Sequence, residues 1–475
     1  MKNNRLFLVL ILSAGLSACG QGSRTNPVLT VEGGQIKGVT TEIPGVIAYK
    51  GVPYAAAPVG DLRWKAPQPV TPWDGVKVAD TFGAPCIQPK HRPEEPYTSE
   101  FFFNGDPEFS EDCLYLNVYT KYPGQTDKKL PVAMWIHGGG YVAGWGWEPE
   151  MDGIEWAARD VVLVTFNYRL GIFGFMTHPL LNRENPQGIS GNYGTMDQIA
   201  CLKWIHENIA QFGGDPDNIT IFGQSAGAGS VKSLVSSPLT GNLIKKAVIQ
   251  SGGGVAEAPR PAASPAQAAE AAKAVLDWGG YDTLEKMRAA SVEDLQNLQS
   301  RYQAETGQYA RLSSGTVIDG YVNVMSFDQA AHEGKIKDIP YMIGYTLNDM
   351  GAFTAYEAID RFCALREKAG KPAYAYQFCR QLPDNAEGTH ALKGAFHSSE
   401  LWYTFKSLKN SDRPFTPGDY ALADVMIGCW TDFVKTGNPG HGWRASTDGH
   451  RDYMVFDADD ATAIYGMGPA HIPAQ

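Results

Sequence analysis

Apart from one short run at its start, no stretch of this 475-residue chain approaches the roughly twenty consecutive apolar residues that a membrane helix needs. No cluster of five or more lysines and arginines occurs, and 40 basic residues face 51 acidic ones, a formal charge of −11. An acidic chain without a basic patch is a poor ligand for nucleic acid, so no nucleic-acid partner is expected. Cysteine and histidine nowhere fall at the spacing of a zinc site, and no metal site is expected. No fixed-period repeat, sustained heptad pattern or internal linker rich in proline, glycine or serine appears, which argues against arrays, coiled coils and several tethered domains. The apolar share of 43% and charged share of 19% exclude a disordered chain.

Among what is present, the first residues read as a processing signal. Lys2 and Arg5 precede the apolar run Leu6 to Leu12, which is too short to span a bilayer, and small residues follow. Leu16-Ser17-Ala18-Cys19 resembles the lipobox of bacterial lipoproteins, which implies cleavage after residue 18, lipidation of Cys19 and a lipid anchor as the sole membrane contact. The implied location is the bacterial cell envelope (periplasm or outer membrane) or the medium. Residues 19–26 read as a polar tether, and 27–475 are expected to form a single domain. Loss of Lys2 and Arg5 makes the mature chain more acidic still. Export permits disulfides. Cys86 and Cys113 flank a polar, proline-bearing loop and are expected to be bridged. Cys201 and Cys429 sit inside apolar helical patterns and are expected to be free, and the pairing of Cys363 with Cys379 is left open.

From residue 114 onward, strand and helix signals alternate. Leu114 to Tyr119 reads as a half-buried strand, and the short apolar runs Val132 to Ile136, Val161 to Phe166, Ile219 to Phe222 and Ala247 to Ile249 read as buried ones. Asp197 to Phe212 and Ala226 to Val235 have helical spacing. Pro265 to Ser300 turns to alanine, glutamine, leucine and acidic residues, the composition of several helices inserted as a cap. Tyr341 to Tyr345 and Ala373 to Phe378 return to strand character, and Tyr420 to Val434 reads as the last helix. This alternation predicts an α/β protein with a mainly parallel central sheet covered by helices on both faces.

The chemistry concentrates in two glycine-rich turns. Gly223-Gln224-Ser225-Ala226-Gly227 follows the strand Ile219 to Phe222 and opens a helix, the context of a nucleophile elbow. Its serine sits in a strained turn where a side chain at either flanking glycine would clash. Upstream, Val132 to Ile136 runs into His137-Gly138-Gly139-Gly140-Tyr141, whose backbone N–H groups are suited to stabilising an oxyanion.

These turns, together with Gly51-Val52-Pro53-Tyr54-Ala55, Arg63-Trp64, Glu111 to Val118, Gly191-Asn192-Tyr193-Gly194, Asp197-Gln198, Phe212 to Pro216 and Gln250-Ser251-Gly252, resemble the blocks of the type B carboxylesterase family, which includes lipases and cholinesterases. The likeness is dense over residues 30 to 255. It implies the α/β-hydrolase fold and a small-molecule ester substrate, with no cofactor needed. In the family's order of nucleophile, acid and histidine, Gly394 to Leu401 is similar to the histidine block and makes His397 the base. Gly344 to Met350 is similar to the acid block and makes Asp349 the acid, although the family usually places glutamate before glycine where Asp349 precedes Met350. Asp319, which resembles a block the family uses structurally, and the nearby Asp338 and Glu333 are the alternatives. Resemblance also assigns Gly139, Gly140 and Ala226 as oxyanion donors, and local logic agrees, since the residue after the nucleophile donates one N–H. Ser251 resembles a position beside the histidine and acid.

Gln224 stands where many family members carry glutamate, and the Cys86 to Cys113 loop lacks the tryptophan with which cholinesterases hold a quaternary ammonium, so choline esters are disfavoured. Phe101 to Phe103, Trp145 and Trp147 are placed to wall an acyl pocket or to serve as core. A catalytically silent, neuroligin-like binding protein would lack the nucleophile or its partners, and here all persist. The same chemistry also serves thioesters and amides, which the residues do not distinguish.

Overall fold

The structure, a computed structural model, describes residues 26–258, 264–313, 315–385 and 387–472. The signal segment 1–18, Cys19 and the tether up to residue 25 lie outside the described residues. Among those described, no helix is long and apolar enough to cross a membrane.

The strands are β1 Val28–Val31, β2 Gly34–Lys37, β3 Val39–Thr40, β4 Ile47–Pro53, β5 Val76–Val78, β6 Tyr115–Thr120, β7 Leu130–Ile136, β8 Val162–Phe166, β9 Gly214–Gln224, β10 Ile244–Gln250, β11 Tyr341–Thr346, β12 Tyr374–Phe378, β13 Tyr453–Ala458 and β14 Ala463–Gly468. β1, β2 and β5 make a small sheet, and the rest form one large sheet in the order β14-β13-β12-β11-β10-β9-β7-β8-β6-β4-β3. From β8 through β7 to β13 every neighbouring pair is parallel, and the edges are antiparallel. All five residues of β8 are buried, as are Ile219 to Gln224 of β9, which is why these strands read as continuous apolar runs. Two apolar clusters cover the sheet, one containing Trp204 and Leu234, the other Trp156, Trp402 and Trp430. This is the mainly parallel α/β architecture that the alternation predicts, and the α/β-hydrolase fold that the resemblance implies.

The helix expected at Asp197 to Phe212 begins at Tyr193, runs to Asn208 and ends in a 3₁₀ turn, Ile209–Phe212. That expected at Tyr420 begins at Pro417, because Thr416 and Asp419 form a reciprocal cap ahead of it and proline is favoured in the first turn. Helices Pro265–Trp278, Leu284–Ala289 and Val292–Thr306 fill the alanine-rich segment. They reach the glycine-loop end of the sheet through Gln296 Nε2, which donates to Gln88 O at 2.9 Å, and through carbonyls of residues 288 and 290, which accept from Arg63. Residues of several family-like blocks are internal braces: Arg63 pairs with Glu111 at 2.6 Å and Arg169 with Asp197 at 2.7 Å, both largely out of water. Cys86 and Cys113 are bridged across a Cα separation of 5.0 Å. Cys201, Cys363, Cys379 and Cys429 are free and buried, which settles the open pairing.

Candidate active site

β9 delivers Gln224 buried, and the chain turns at Ser225 with φ 57° and ψ −121° before the helix Ala226–Ser236. A non-glycine residue so placed is strained, and the surroundings enforce it. Ser225 N donates to Gln250 O at 2.9 Å. A Cβ on Gly227 would sit 2.0 Å from Ile136 O, and one on Gly223 would sit 2.6 Å from Gly227 O. Both glycines are therefore demanded by the close approach of β7 and the helix, as the motif implies.

The glycine loop lies over this turn. A Cβ on Gly138 would come within 3.2 Å of Ser225 Cβ. Gly139 and Gly140 adopt φ of 90° and 63°, and Gly139 O accepts from the N–H groups of Val142 and Ala143, closing the loop on itself. Ala226 is the first residue of its helix, whose opening N–H groups have no intrahelical acceptor.

Across the cavity, His397 Nδ1 lies 2.5 Å from Asp349 Oδ1, and both side chains are nearly buried. Asp349 also accepts from the backbone N–H of Met350 at 2.7 Å, so the shorter acid is seated by its own loop. Tyr97 OH donates to His397 O at 3.0 Å, tying the histidine to the disulfide loop. Burial opposes a charge on His397, but the hydrogen bond and charge of Asp349, with the charge of Glu400, outweigh it and raise its pKa. Its other nitrogen, Nε2, is 3.1 Å from Gln224 Nε2. With the Nδ1 proton donated to Asp349, that contact is an amide N–H donating to the imidazole lone pair.

Asp319 is occupied elsewhere: its Oδ1 accepts from the N–H groups of Tyr321, Val322 and Asn323, and its Oδ2 from Asn192. His390 pairs with Asp384 and Asp412, away from Ser225. Sequence reasoning did not single out Glu400, which is fully buried, accepts from Ser251 Oγ at 3.4 Å and is pushed up to about 7 by burial and by the charge of Asp349. Its position three residues after His397, on the turn that carries the histidine, was the available signal.

A cavity of about 310 Å³ brings together Gly138, Gly139, Gly140, Gln224, Ser225 and His397. Phe101, Phe102, Tyr97 and Met350 wall it, and Glu148, Glu150 and His91 complete it. Phe103, Trp145 and Trp147 instead line a neighbouring surface hollow, while Trp145 backs the site through its ring contact with Phe102 at 5.1 Å. A serine, an oriented imidazole and facing backbone donors in one apolar pocket are the parts that acyl transfer uses.

The chain matches the profile of the Carboxylesterase family over residues 25–362 and 356–466. It is 34% identical over 431 residues to fumonisin B1 esterase of Sphingopyxis macrogoltabida, covering 90% of this chain and 74% of that one. It is 33% identical over 489 residues to para-nitrobenzyl esterase of Bacillus subtilis, covering 92% and 96%. Among solved structures, a thermophilic PNB esterase superposes with a TM-score of 0.78 at 30% identity, covering 93% of this chain and 98% of that one. A Geobacillus stearothermophilus carboxylesterase superposes with a TM-score of 0.74 over the same shares, also at 30% identity. With the fold, the elbow and the matching profile in agreement, the chain belongs to the type B carboxylesterase family and is an ester hydrolase.

Proposed function

We propose that the chain hydrolyses carboxylic esters of small or medium size through Ser225, His397 and Asp349, by way of an acyl-enzyme. The observation that carries this reading is the shared cavity in which the strained Ser225 faces a histidine already paired with Asp349. His397 takes the Ser225 proton at Nε2 as Oγ attacks the ester carbonyl, and Asp349 stabilises the imidazolium that forms. The oxyanion is received by N–H groups of Gly139, Gly140 and Ala226, each donor contributing roughly 100- to 1000-fold in rate. His397 then returns the proton to the leaving alcohol and activates water to release the acid. Gln224 must give up Nε2 when Ser225 engages it.

Hydrolysis of short p-nitrophenyl esters by the parent, Ser225→Ala, His397→Ala and Asp349→Asn tests the assignment. Turnover by the parent with losses of roughly 10³-fold or more in all three supports it; full activity in Asp349→Asn would move the acid elsewhere. Strong turnover of matched amides without ester turnover would overturn the bond assignment.

For location, the apolar run and Leu16-Ser17-Ala18-Cys19 support an envelope protein anchored through lipid on Cys19. Release of the protein from membranes by Cys19→Ser is the expected outcome, and unchanged membrane retention overturns it.

A further inference from the structure

The cavity that holds Ser225 is also lined by carboxyl groups that ester hydrolysis does not require. Glu148 and Glu150 both line it, and both are buried, with relative exposures of 6% and 1%. The two carboxyls act on each other, the charge of Glu148 disfavouring ionisation of Glu150. Glu148 Oε1 also accepts from Trp145 N at 2.7 Å. Glu150 Oε2 has no hydrogen-bond partner. A buried carboxylate oxygen left bare is costly, and the deficit is already present in the free protein.

The nearby cations are committed to other acids. Arg413 is held by Glu100 at 2.5 Å with both side chains buried, and Glu100 Oε1 also accepts from Trp402 Nε1. His91 is held by Asp106 at 2.6 Å and stacks on Phe102. Burial pushes Glu148 up to about 7 and Glu150 well above the ordinary range, the charge of Glu148 adding to the latter. Among the described residues no three acidic, histidine or cysteine side chains are placed to hold a metal ion. What this pair lacks is a compact hydrogen-bond donor carrying positive charge, in a cavity lined also by Phe101, Phe102, Met151 and Leu401.

We infer that Glu148 and Glu150 form a specificity subsite for a primary ammonium group, so that the favoured esters carry an amine at the far end of an alkyl or similarly slim chain. The inference rests on the esterase reading of Ser225. Gln224, uncharged beside the nucleophile, is thereby complemented by acids elsewhere in the same cavity. An ammonium donates to Glu150 Oε2 and offsets the charge that burial otherwise opposes on this pair. In a cavity shielded from water this attraction is stronger than at the surface.

Binding of n-alkylammonium ions of three to six carbons and of the matched n-alkanols, measured by calorimetry on the whole protein and as competitive inhibition of p-nitrophenyl acetate turnover, tests it. The parent is expected to bind the best ammonium at least about tenfold more tightly than its alcohol. Glu150→Gln is expected to abolish that preference while leaving alcohol binding within about threefold. Equal affinity for ammonium and alcohol in the parent overturns the inference, as does a preference that survives Glu150→Gln. Should Glu150→Gln fail to fold, the parent's ammonium-to-alcohol ratio still decides. A parent that prefers ammonium in the calorimeter but turns over no ester refutes the esterase reading and leaves the subsite standing.

Discussion

Gln224 holds the Nε2 face of His397 that the proton transfer needs, and replacing its amide by a carboxylate would place a negative charge 3.1 Å from the imidazole. Gln224→Glu should therefore raise the pKa of His397, by about one unit or more. Because the general base must be neutral, the acid limb of kcat/KM against pH should move upward by the same amount; a limb that stays put refutes the contact. In the parent that limb should lie above the ordinary histidine value of 6.5, since Asp349 raises His397. Asp349→Asn removes the opposing charge and leaves burial, so the limb should move to lower pH while kcat/KM falls by about 10³- to 10⁴-fold. Ser225, His397 and Asp349 were readable because each lies in a short block with its own backbone constraint. Glu400 was not, since a glutamate on a turn carries no local mark of burial and shows its influence only once β10 and the histidine turn are packed together. The same holds for Glu150, whose surroundings come from segments as distant as Glu100 and Ser407.

At the level of elements, the elbow depends on how closely β7 approaches the helix Ala226–Ser236. Gly227→Ala puts a methyl 2.0 Å from Ile136 O, a clash with backbone that cannot rotate away. The variant should lose about 3 kcal/mol or more of unfolding free energy, or fail to accumulate, as measured by denaturant midpoint; parent-like stability would contradict the packing. The disulfide loop is the second such element. Joining Cys86 and Cys113 across 27 residues stabilises by about 3–4 kcal/mol if chain entropy dominates, and replacing both by alanine should lower the midpoint accordingly. KM should rise more than kcat falls, because this loop carries Phe101, Phe102 and Tyr97 to the cavity while β7, β9 and β11 hold the reacting groups. The central strands were legible because burial on both faces leaves uninterrupted apolar runs. β9 was read too short, since Asp215 and Pro216 at its start carry no strand signal. β4, β13 and β14 escaped, the first because polar Lys50 and Gly51 interrupt it, the last two because Asp457, Gly466 and Gly468 break the pattern.

For the molecule as a whole, buried groups of opposite kind shape stability against pH. Glu148 and Glu400 remain protonated in the fold up to about 7, whereas the unfolded carboxyls ionise near 4.5, so their contribution is full below 4.5 and is lost as pH rises towards 7. His137 and His178, pulled down to about 4 by burial, act in reverse: the unfolded chain takes up protons below 6.5 that the fold refuses, so stability rises with pH from 4 to 6.5. The two trends offset each other between 4.5 and 6.5. Glu400→Gln removes one falling contribution, so the variant's unfolding free energy minus the parent's should rise across 4.5 to 7 by about 3 kcal/mol. Denaturant titrations at intervals across that range would show it, and a constant difference would place Glu400 in water.

The bridge between Cys86 and Cys113 also divides the protein's chemistry by redox history. None of Ser225, His397 and Asp349 lies within the bridged loop, whereas Tyr97, Phe101 and Phe102 of the aromatic wall do. A copy kept reduced is expected to keep its nucleophile with an unfastened vestibule, so its choice among esters, more than its capacity to cleave them, should record whether the chain reached an oxidising compartment.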